Sequence, residues 1–572
     1  MKVHAYLFEA RAIQSFILDS GKLRDLVGAS ELVDMLCEEL LDDALEASGL
    51  KPSPADMDEA ALGNRIVFAR KAGGAFYAFS GSESSIERLA AVWPLVVQQH
   101  APGLAFDQGR GQGGSAYTAY RSAREDPVDG QPQSGRGLIE DRSRGLVELP
   151  QAGPLVLRSQ RTGRPAVKVT SDPEGEPEPL DASASRQRWA VRRGKNSLTE
   201  KVSPLNPEED RIRWPIDLEP GGEDAFPFVG DNRYIAVVHA DGNGLGQLLI
   251  RLEKHVAQSA RNDYLQVFRR LSKGIEEVAQ AAVREAVGRH LVPHGTATGM
   301  VPARPIVLGG DDLTMIIRAD LALAFTRTFL AQFEERSRGL MEDLQALGLP
   351  VPERLTACAG IAYIKAGQPF YLGANLAEGI AASVKTRAKK INRETPPSSL
   401  AWHGVTTAMI DDYEHVLERE LTVGARGKRY RNTLGAYAVS PPLDETSGKL
   451  PALDDLLDLQ RLFERPDMAR GPTRQILTLI DRNEAQAIAL YRRWCTLMQD
   501  PANGKEERFR SFSDSMEKLL GAKLGDLPYR DARKGEGNCD RVGPLGDLHA
   551  LLAVKNRAVG SGSRTDTTGE SR

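Results

Sequence analysis

Cysteine is scarce: four in 572 residues, Cys37, Cys358, Cys495 and Cys539, with no Cys-x-x-Cys pair among them. That scatter excludes a disulfide framework, offers no zinc site, and fits a reducing cytoplasm. Apolar runs of membrane-spanning length are lacking too, and Met1 to Phe8 reads as a strand start, not a signal peptide. A soluble, cytoplasmic protein with no membrane partner is expected. Neither sign of charge dominates: 74 Lys plus Arg stand against 78 Asp plus Glu, a net charge of −4. This excludes a generally basic nucleic-acid-coating protein and leaves only local basic patches. No Ser/His/Asp or Cys/His arrangement has a recognisable context. The length exceeds what one core holds, so three or four domains are expected.

What is present centres on Gly309-Gly310-Asp311-Asp312, inside Arg304-Pro-Ile-Val-Leu-Gly-Gly-Asp-Asp-Leu-Thr-Met-Ile-Ile317. Two apolar, β-branched runs around paired glycines and carboxylates predict a β-hairpin with two acids at its tip. Adjacent carboxylates repel, so a divalent metal carrying a nucleotide triphosphate is one reason to hold them there. A solvated Gly-Asp turn is the other. Upstream, Tyr234-Ile-Ala-Val-Val-His239 predicts a strand that runs into Ala240-Asp241-Gly242-Asn243-Gly244-Leu245-Gly246. An acid at a strand end, then a glycine-rich bend opening a helix, puts backbone N–H groups beside a carboxylate. The bend is neither a P-loop, since no Gly-Lys-Ser/Thr follows, nor a dinucleotide fingerprint. Asp241 alone also suits the N-cap of the next helix. Together with the hairpin it reads as metal-dependent phosphoryl or nucleotidyl transfer.

The pattern divides the chain into blocks. Residues 1–130 carry strand, helix, hairpin, helix. Residues 131–230 are rich in Pro, Gly, Ser and charge, and read as an insertion with loose or small β structure. Residues 231–405 predict strand (234–240), long helix (247–290), hairpin (305–318), helix (320–340), strand (355–364), helix (371–391) and strand (398–404). That order suits a ferredoxin-like arrangement. Leu372, Leu376, Ile380 and Val384 make an apolar stripe on its last helix, with Lys385 and Lys389 on another face. Residues 406–557 look helical after a basic loop at 426–431, and 558–572 form a polar tail expected to be disordered.

The first block reads as a weaker copy of the third. Its hairpin keeps a double glycine, Gly73-Gly74, but Ala75 and Phe76 stand where the other copy has aspartates. Its site is expected to be degenerate. Two such units packed face to face would form a cleft for two nucleotides, one donor and one acceptor.

In these residues the chain resembles the large polymerase-cyclase subunit of type III CRISPR effector complexes, with its paired palm domains. The hairpin at 309–312 matches that family's GGDD motif, and Asp241 to Gly246 is similar to its preceding metal strand. Ile13-Gln-Ser-Phe-Ile17 with Lys22 to Ser30 looks like the start of the first palm. Leu376-Ala377-Glu378 leading to Lys385, and Thr473 to Leu477, are also similar. The resemblance implies an α+β chain of two ferredoxin-like palm domains plus a C-terminal helical domain. It implies a nucleotidyltransferase making cyclic oligonucleotides from ATP in antiviral defence. Asp241, Asp311 and Asp312 would be catalytic and bind Mg²⁺ or Mn²⁺. Gly242, Asn243, Gly244, Leu245, Gly246, Gly309, Gly310 and Lys385 would bind nucleotide. Nucleoside triphosphates, and CRISPR effector subunits with guide and target RNA, would be the partners.

Two departures accompany the resemblance. There is no His-Asp dipeptide of the HD nuclease domain, so single-strand cleavage by that route is not expected. The segment Arg158 to Ala166 has the look of the family's zinc ribbon without its cysteines, and no zinc is expected. Two further readings remain: a catalytically silent scaffold working through the 426–431 loop and the helical domain, and a GGDEF-like cyclic dinucleotide synthase. His239 and His403 read as packed strand histidines.

Overall fold

The computed structural model describes residues 2–19, 22–52, 59, 62–124, 153–171, 176–193, 197–204, 212–218, 222–229, 233–258, 264–405, 412–425, 427–440, 449–466, 468–500, 506–533 and 537–559. The chain is mixed α+β, with several sheets and a helical C-terminal region. Most of the tail expected at 558–572, and parts of the 131–230 block, lie outside the described residues.

Alternation along Val3–Arg11 sends Val3, Ala5 and Leu7 into one core and Tyr6 and Phe8 into another. With both faces covered, the strand sits mid-sheet. It pairs antiparallel with Ala75–Ser80 on one side and Ala105–Gly113 on the other, and Val67–Ala72 forms the edge. The second sheet repeats that order. Tyr234–Gly242 lies between Asp312–Arg318 and Ala357–Lys365, with Ala303–Gly309 beyond, all antiparallel. Ser399–Gly404 then adds parallel to Ala357–Lys365, as the intervening helix Phe370–Ile391 requires, and Tyr437–Ala438 closes that edge. In each sheet the first strand is flanked by the third and fourth, the strand order of a ferredoxin-like arrangement.

Register corrects one alignment. Gly73-Gly74 joins the pair Ala72 and Ala75, whereas Gly310-Asp311 joins Gly309 and Asp312. In hairpin position, therefore, Gly74 and Ala75 correspond to Asp311 and Asp312; matching glycine to glycine is off by one residue. Both hairpins also carry an irregularity two residues before the tip pair, between Phe68 and Arg70 and between Pro305 and Val307.

Three local expectations change. The long helix predicted at 247–290 is described as Leu245–Gln258 and Tyr264–His290. The 131–230 block holds a hairpin, Lys168–Ser171 with Pro177–Leu180, but also helices Ala182–Arg192 and Ser197–Val202. The first of these helices has no strong apolar stripe to betray it. It is capped by Asp181, which accepts from the Ala184 N–H, and it packs on Leu23–Cys37. The zinc-ribbon-like segment is held by ion pairs: Arg161 and Arg188 both engage buried Asp25 and Glu178. Finally, the basic loop is half of a small sheet, Thr422–Ala425 with Lys428–Arg431, joined by Arg530–Asp531 and Arg541–Val542. Arg429 and Arg431 both pair with Glu418. Arg426 lies outside the described residues.

The first block buttresses the GGDD hairpin directly. Arg304, on its first strand, is buried and lies 3.9 Å from equally buried Glu31 of helix Leu23–Cys37. Ser30 also donates to the Ile306 carbonyl. Glu31→Ala would leave a buried guanidinium without its carboxylate, and a loss of about 3 kcal/mol in stability is expected. Thermal unfolding checks this; an unchanged transition would mean the pair contributes nothing at this junction.

Candidate metal and nucleotide site

The register that builds the sheet also builds the site. Ala240 pairs with Leu313, so one step further the adjacent strand ends carry Asp241 and Asp312. Odd–even alternation aims both away from the core face of Ala240 and Leu313, toward the side covered by Phe370–Ile391. Asp311 occupies the two-residue turn after Gly310, whose φ of +64° with negative φ at Asp311 is the pattern of a II′ turn. Carboxylate oxygens of Asp241, Asp311 and Asp312 lie within 4.8 Å of one another, and all three residues are part-buried.

Gly242 makes this approach possible. Its N–H donates to Asp311 Oδ2 at 3.2 Å. A Cβ on residue 242 would lie 2.6 Å from that oxygen and 2.8 Å from the Asp311 Cβ. Lys385, on the covering helix, donates to Asp241 Oδ2 at 2.5 Å and to the Gly242 carbonyl at 2.7 Å.

The remaining expected residues separate. Asn243 is buried, and its Nδ2 donates to Thr356 Oγ1 at 3.0 Å while its N–H donates to the Thr356 carbonyl at 2.7 Å. Its side chain therefore fixes the bend and does not face the acids. Gly244 takes φ +73° at the bend, and a Cβ on Gly246 would meet nothing within 4 Å. Leu245 packs against the core. Gly309 meets the other hairpin: a Cβ there would lie 3.2 Å from Gly73 Cα. The tips of the two hairpins thus touch. Lys389 is exposed, and Leu372 is only partly buried on its predicted stripe. His239 is buried, with Nδ1 3.0 Å from Thr314 Oγ1, and burial lowers its pKa; it packs between strands.

A cavity of about 160 Å³ opens beside the acids, lined by Gly310, Asp311, Leu245, Phe268 and, from the first block, Arg70 and Tyr77. Tyr77 donates to Glu9, and Tyr120 donates to Glu253 Oε1 at 3.1 Å. Sequence reasoning missed this wall and Thr356. The Arg70-x₆-Tyr77 spacing straddles the first hairpin, and reading its strands by face would have shown the two on one side.

Burial, and then the neighbouring carboxylates, push Asp311 up to about 6 and Asp312 up to about 8. Three hard oxygen donors at this spacing suit Mg²⁺ or Mn²⁺. With folded pKa values raised, the native chain holds more protons than the unfolded chain between about pH 4 and 8, so these acids cost stability as pH rises through that window. A bound divalent cation removes that cost. The rise in Tm given by Mg²⁺ should therefore be larger at pH 8.5 than at pH 6, by about 2–4 °C. Scanning fluorimetry at both pH values checks it, and equal increments would remove these acids from metal binding.

Residues 234–394 match the family model described as Cas10/Cmr2, second palm domain. The segment that carries the acids is thus similar to the second palm domain of that family. Solved structures similar to the chain include Csm1 from T. onnurineus, at 13% identity and TM-score 0.43, covering 98% of this chain and 70% of that one. A Csm1–Csm4 cassette in complex with cA4 aligns at 12% identity and TM-score 0.42, covering 91% and 69%. The same cassette with AMPPNP aligns at 12% and 0.41, covering 98% and 70%. Likeness at this level describes a loose similarity of layout and decides nothing about activity. No curated protein matches the chain. Among the described residues no helix is long and apolar enough to cross a membrane.

Proposed function

We propose that this chain is a metal-dependent nucleotidyltransferase that joins nucleoside triphosphates, ATP first among them, into cyclic oligonucleotides for CRISPR-type antiviral defence. The observation that carries the reading is the convergence of Asp241, Asp311 and Asp312 within 4.8 Å in the segment that matches the Cas10/Cmr2 second-palm model. Bound Mg²⁺ or Mn²⁺ would activate an acceptor 3′-hydroxyl and neutralise charge on the α-phosphate and pyrophosphate.

The chain's own residues do the placing. Three carboxylates supply the oxygens for metal. Gly242, Gly244 and Gly246 keep the bend open, so that phosphates can approach backbone N–H groups at the start of Leu245–Gln258. Gly309 and Gly310 keep the hairpin tip slim. Lys385 offers a positive charge at the rim. The first block would act as the first palm, with a degenerate site whose hairpin lacks acids, and its Arg70 and Tyr77 form the far wall of the cavity. That wall suits an acceptor nucleotide, with the GGDD side holding the donor.

The scaffold reading would work through the basic loop and the helical domain; within the loop, Arg429 and Arg431 are paired with Glu418. Partner subunits with guide and target RNA remain part of the proposal, as does action in the cytoplasm. Mass spectrometry of products after incubation with each NTP and Mg²⁺ or Mn²⁺ tests it. A cyclic oligonucleotide supports the synthetase. Linear pppNpN products alone would replace cyclisation with plain polymerisation, and a cyclic dinucleotide from GTP would favour the GGDEF-like reading.

A further inference from the structure

The charge nearest the acids already belongs to the protein. Lys385 Nζ bridges Asp241 Oδ2 and the carbonyl oxygen of Gly242, at 2.5 and 2.7 Å. A carboxylate oxygen and the next residue's carbonyl are both hard donors of the kind a divalent cation takes. The ammonium thus sits on a carboxylate of the cluster and on the adjoining backbone carbonyl, and its side chain is only 20% exposed.

Nothing in the helix needs to move for that contact to break. Val384 and Ala388, on either side of Lys385, are buried, and Arg387 donates to the Leu434 carbonyl at 3.2 Å, which fixes this turn of helix against the C-terminal region. The flexible four-carbon stem of lysine can swing while its backbone stays in place.

We propose that Lys385 is an internal counter-cation, seated on Asp241 and the Gly242 carbonyl, which a divalent metal must displace before nucleotide is engaged. This rests on the metal-centre reading above and adds a competition to it. Without metal, Lys385 offsets repulsion within the acid cluster. Metal loading releases it, and the freed ammonium then faces triphosphate. A lysine that only met triphosphate would leave metal affinity untouched.

The test is Mn²⁺ binding to the full chain without nucleotide, followed by the electron paramagnetic resonance signal of free Mn²⁺. Lys385→Met should tighten Mn²⁺ binding by about tenfold, since a charge-assisted contact no longer has to be broken. Lys389→Met, at an exposed position on the same helix, should change it by less than about twofold, because solvent screens that charge. Lys385→Gln, which keeps hydrogen-bond donors without charge, should fall with Lys385→Met and serves if the methionine variant fails to fold. In the unaltered chain, Mn²⁺ alone should raise the labelling of Lys385 by an amine-reactive ester. Equal Mn²⁺ affinity in wild type and Lys385 variants overturns the competition while leaving the metal centre standing. So does an equal tightening in Lys389→Met. No Mn²⁺ binding to any of them would sink the metal centre and the competition together.

Discussion

Asp311→Ala combined with Asp312→Ala should abolish nucleotide turnover, a fall of at least about 10³-fold, in a chain that still folds. The two halves of this expectation have one cause. Asp311 lies in the two-residue turn and Asp312 just after it, each pushed toward the protonated form by burial first and then by neighbouring carboxylates, Asp241 for Asp311 and Asp311 with Asp241 for Asp312. Such groups store repulsion, so removing them relieves the metal-free fold while deleting two of the three carboxylates of the cluster. The Gly242 N–H loses its Asp311 acceptor, a part-buried bond that water replaces at small cost. Circular dichroism and thermal unfolding should therefore match or exceed wild type as the product peaks vanish. Turnover retained in a well-folded double variant would remove the acids from the chemistry. A collapse of the fold instead would make them structural.

Gly242→Ala should also cost activity heavily, with no change in charge. A methyl at 242 would lie 2.6 Å from Asp311 Oδ2, so the hairpin tip must back away. A shift of about 1 Å in a metal ligand is worth roughly 10²-fold in rate. Stability should change little, because the strand pairs that hold Tyr234–Gly242 lie behind the tip. Weakened Mg²⁺ dependence of turnover, with Tm close to wild type, is the expected signature. An equal loss in Gly246→Ala, where a Cβ meets nothing within 4 Å of protein, would point instead to phosphates approaching the whole bend. Full activity in Gly242→Ala would mean that the cluster tolerates a wider spacing than the structure has.

Much of this site was legible in the chain because its parts are local. A β-branched run, paired glycines and two acids specify a hairpin and what stands at its tip. Tyr234 to His239 specifies a strand, and the glycines after Asp241 specify a bend that opens a helix. Side-chain alternation fixes which face each acid takes once the strand is granted. The repeat between the first and third blocks was visible for the same reason, although glycine matching misjudged its register by one. Turn length, not residue identity, sets which positions oppose each other.

Contacts made across long separations were not legible. Helix Ala182–Arg192 looked like loose chain because its packing on Leu23–Cys37, not an apolar stripe of its own, holds it. The 426–431 stretch looked like a basic surface, whereas Glu418 and a small sheet engage Arg429 and Arg431. Lys385 was expected to meet triphosphate from its place on a helix, but only the packing of that helix over Tyr234–Gly242 puts its ammonium on Asp241. The sequence by itself determined the acids, their two strands and the slim turns between them, since those depend on backbone preferences and period. Tertiary structure alone decided that Asp241, 70 residues from Asp311 along the chain, shares one cluster with it, that Asn243 turns inward to Thr356, and that the acid-free hairpin touches the acidic one. Those outcomes depend on sheet order and interblock packing, which no local pattern encodes.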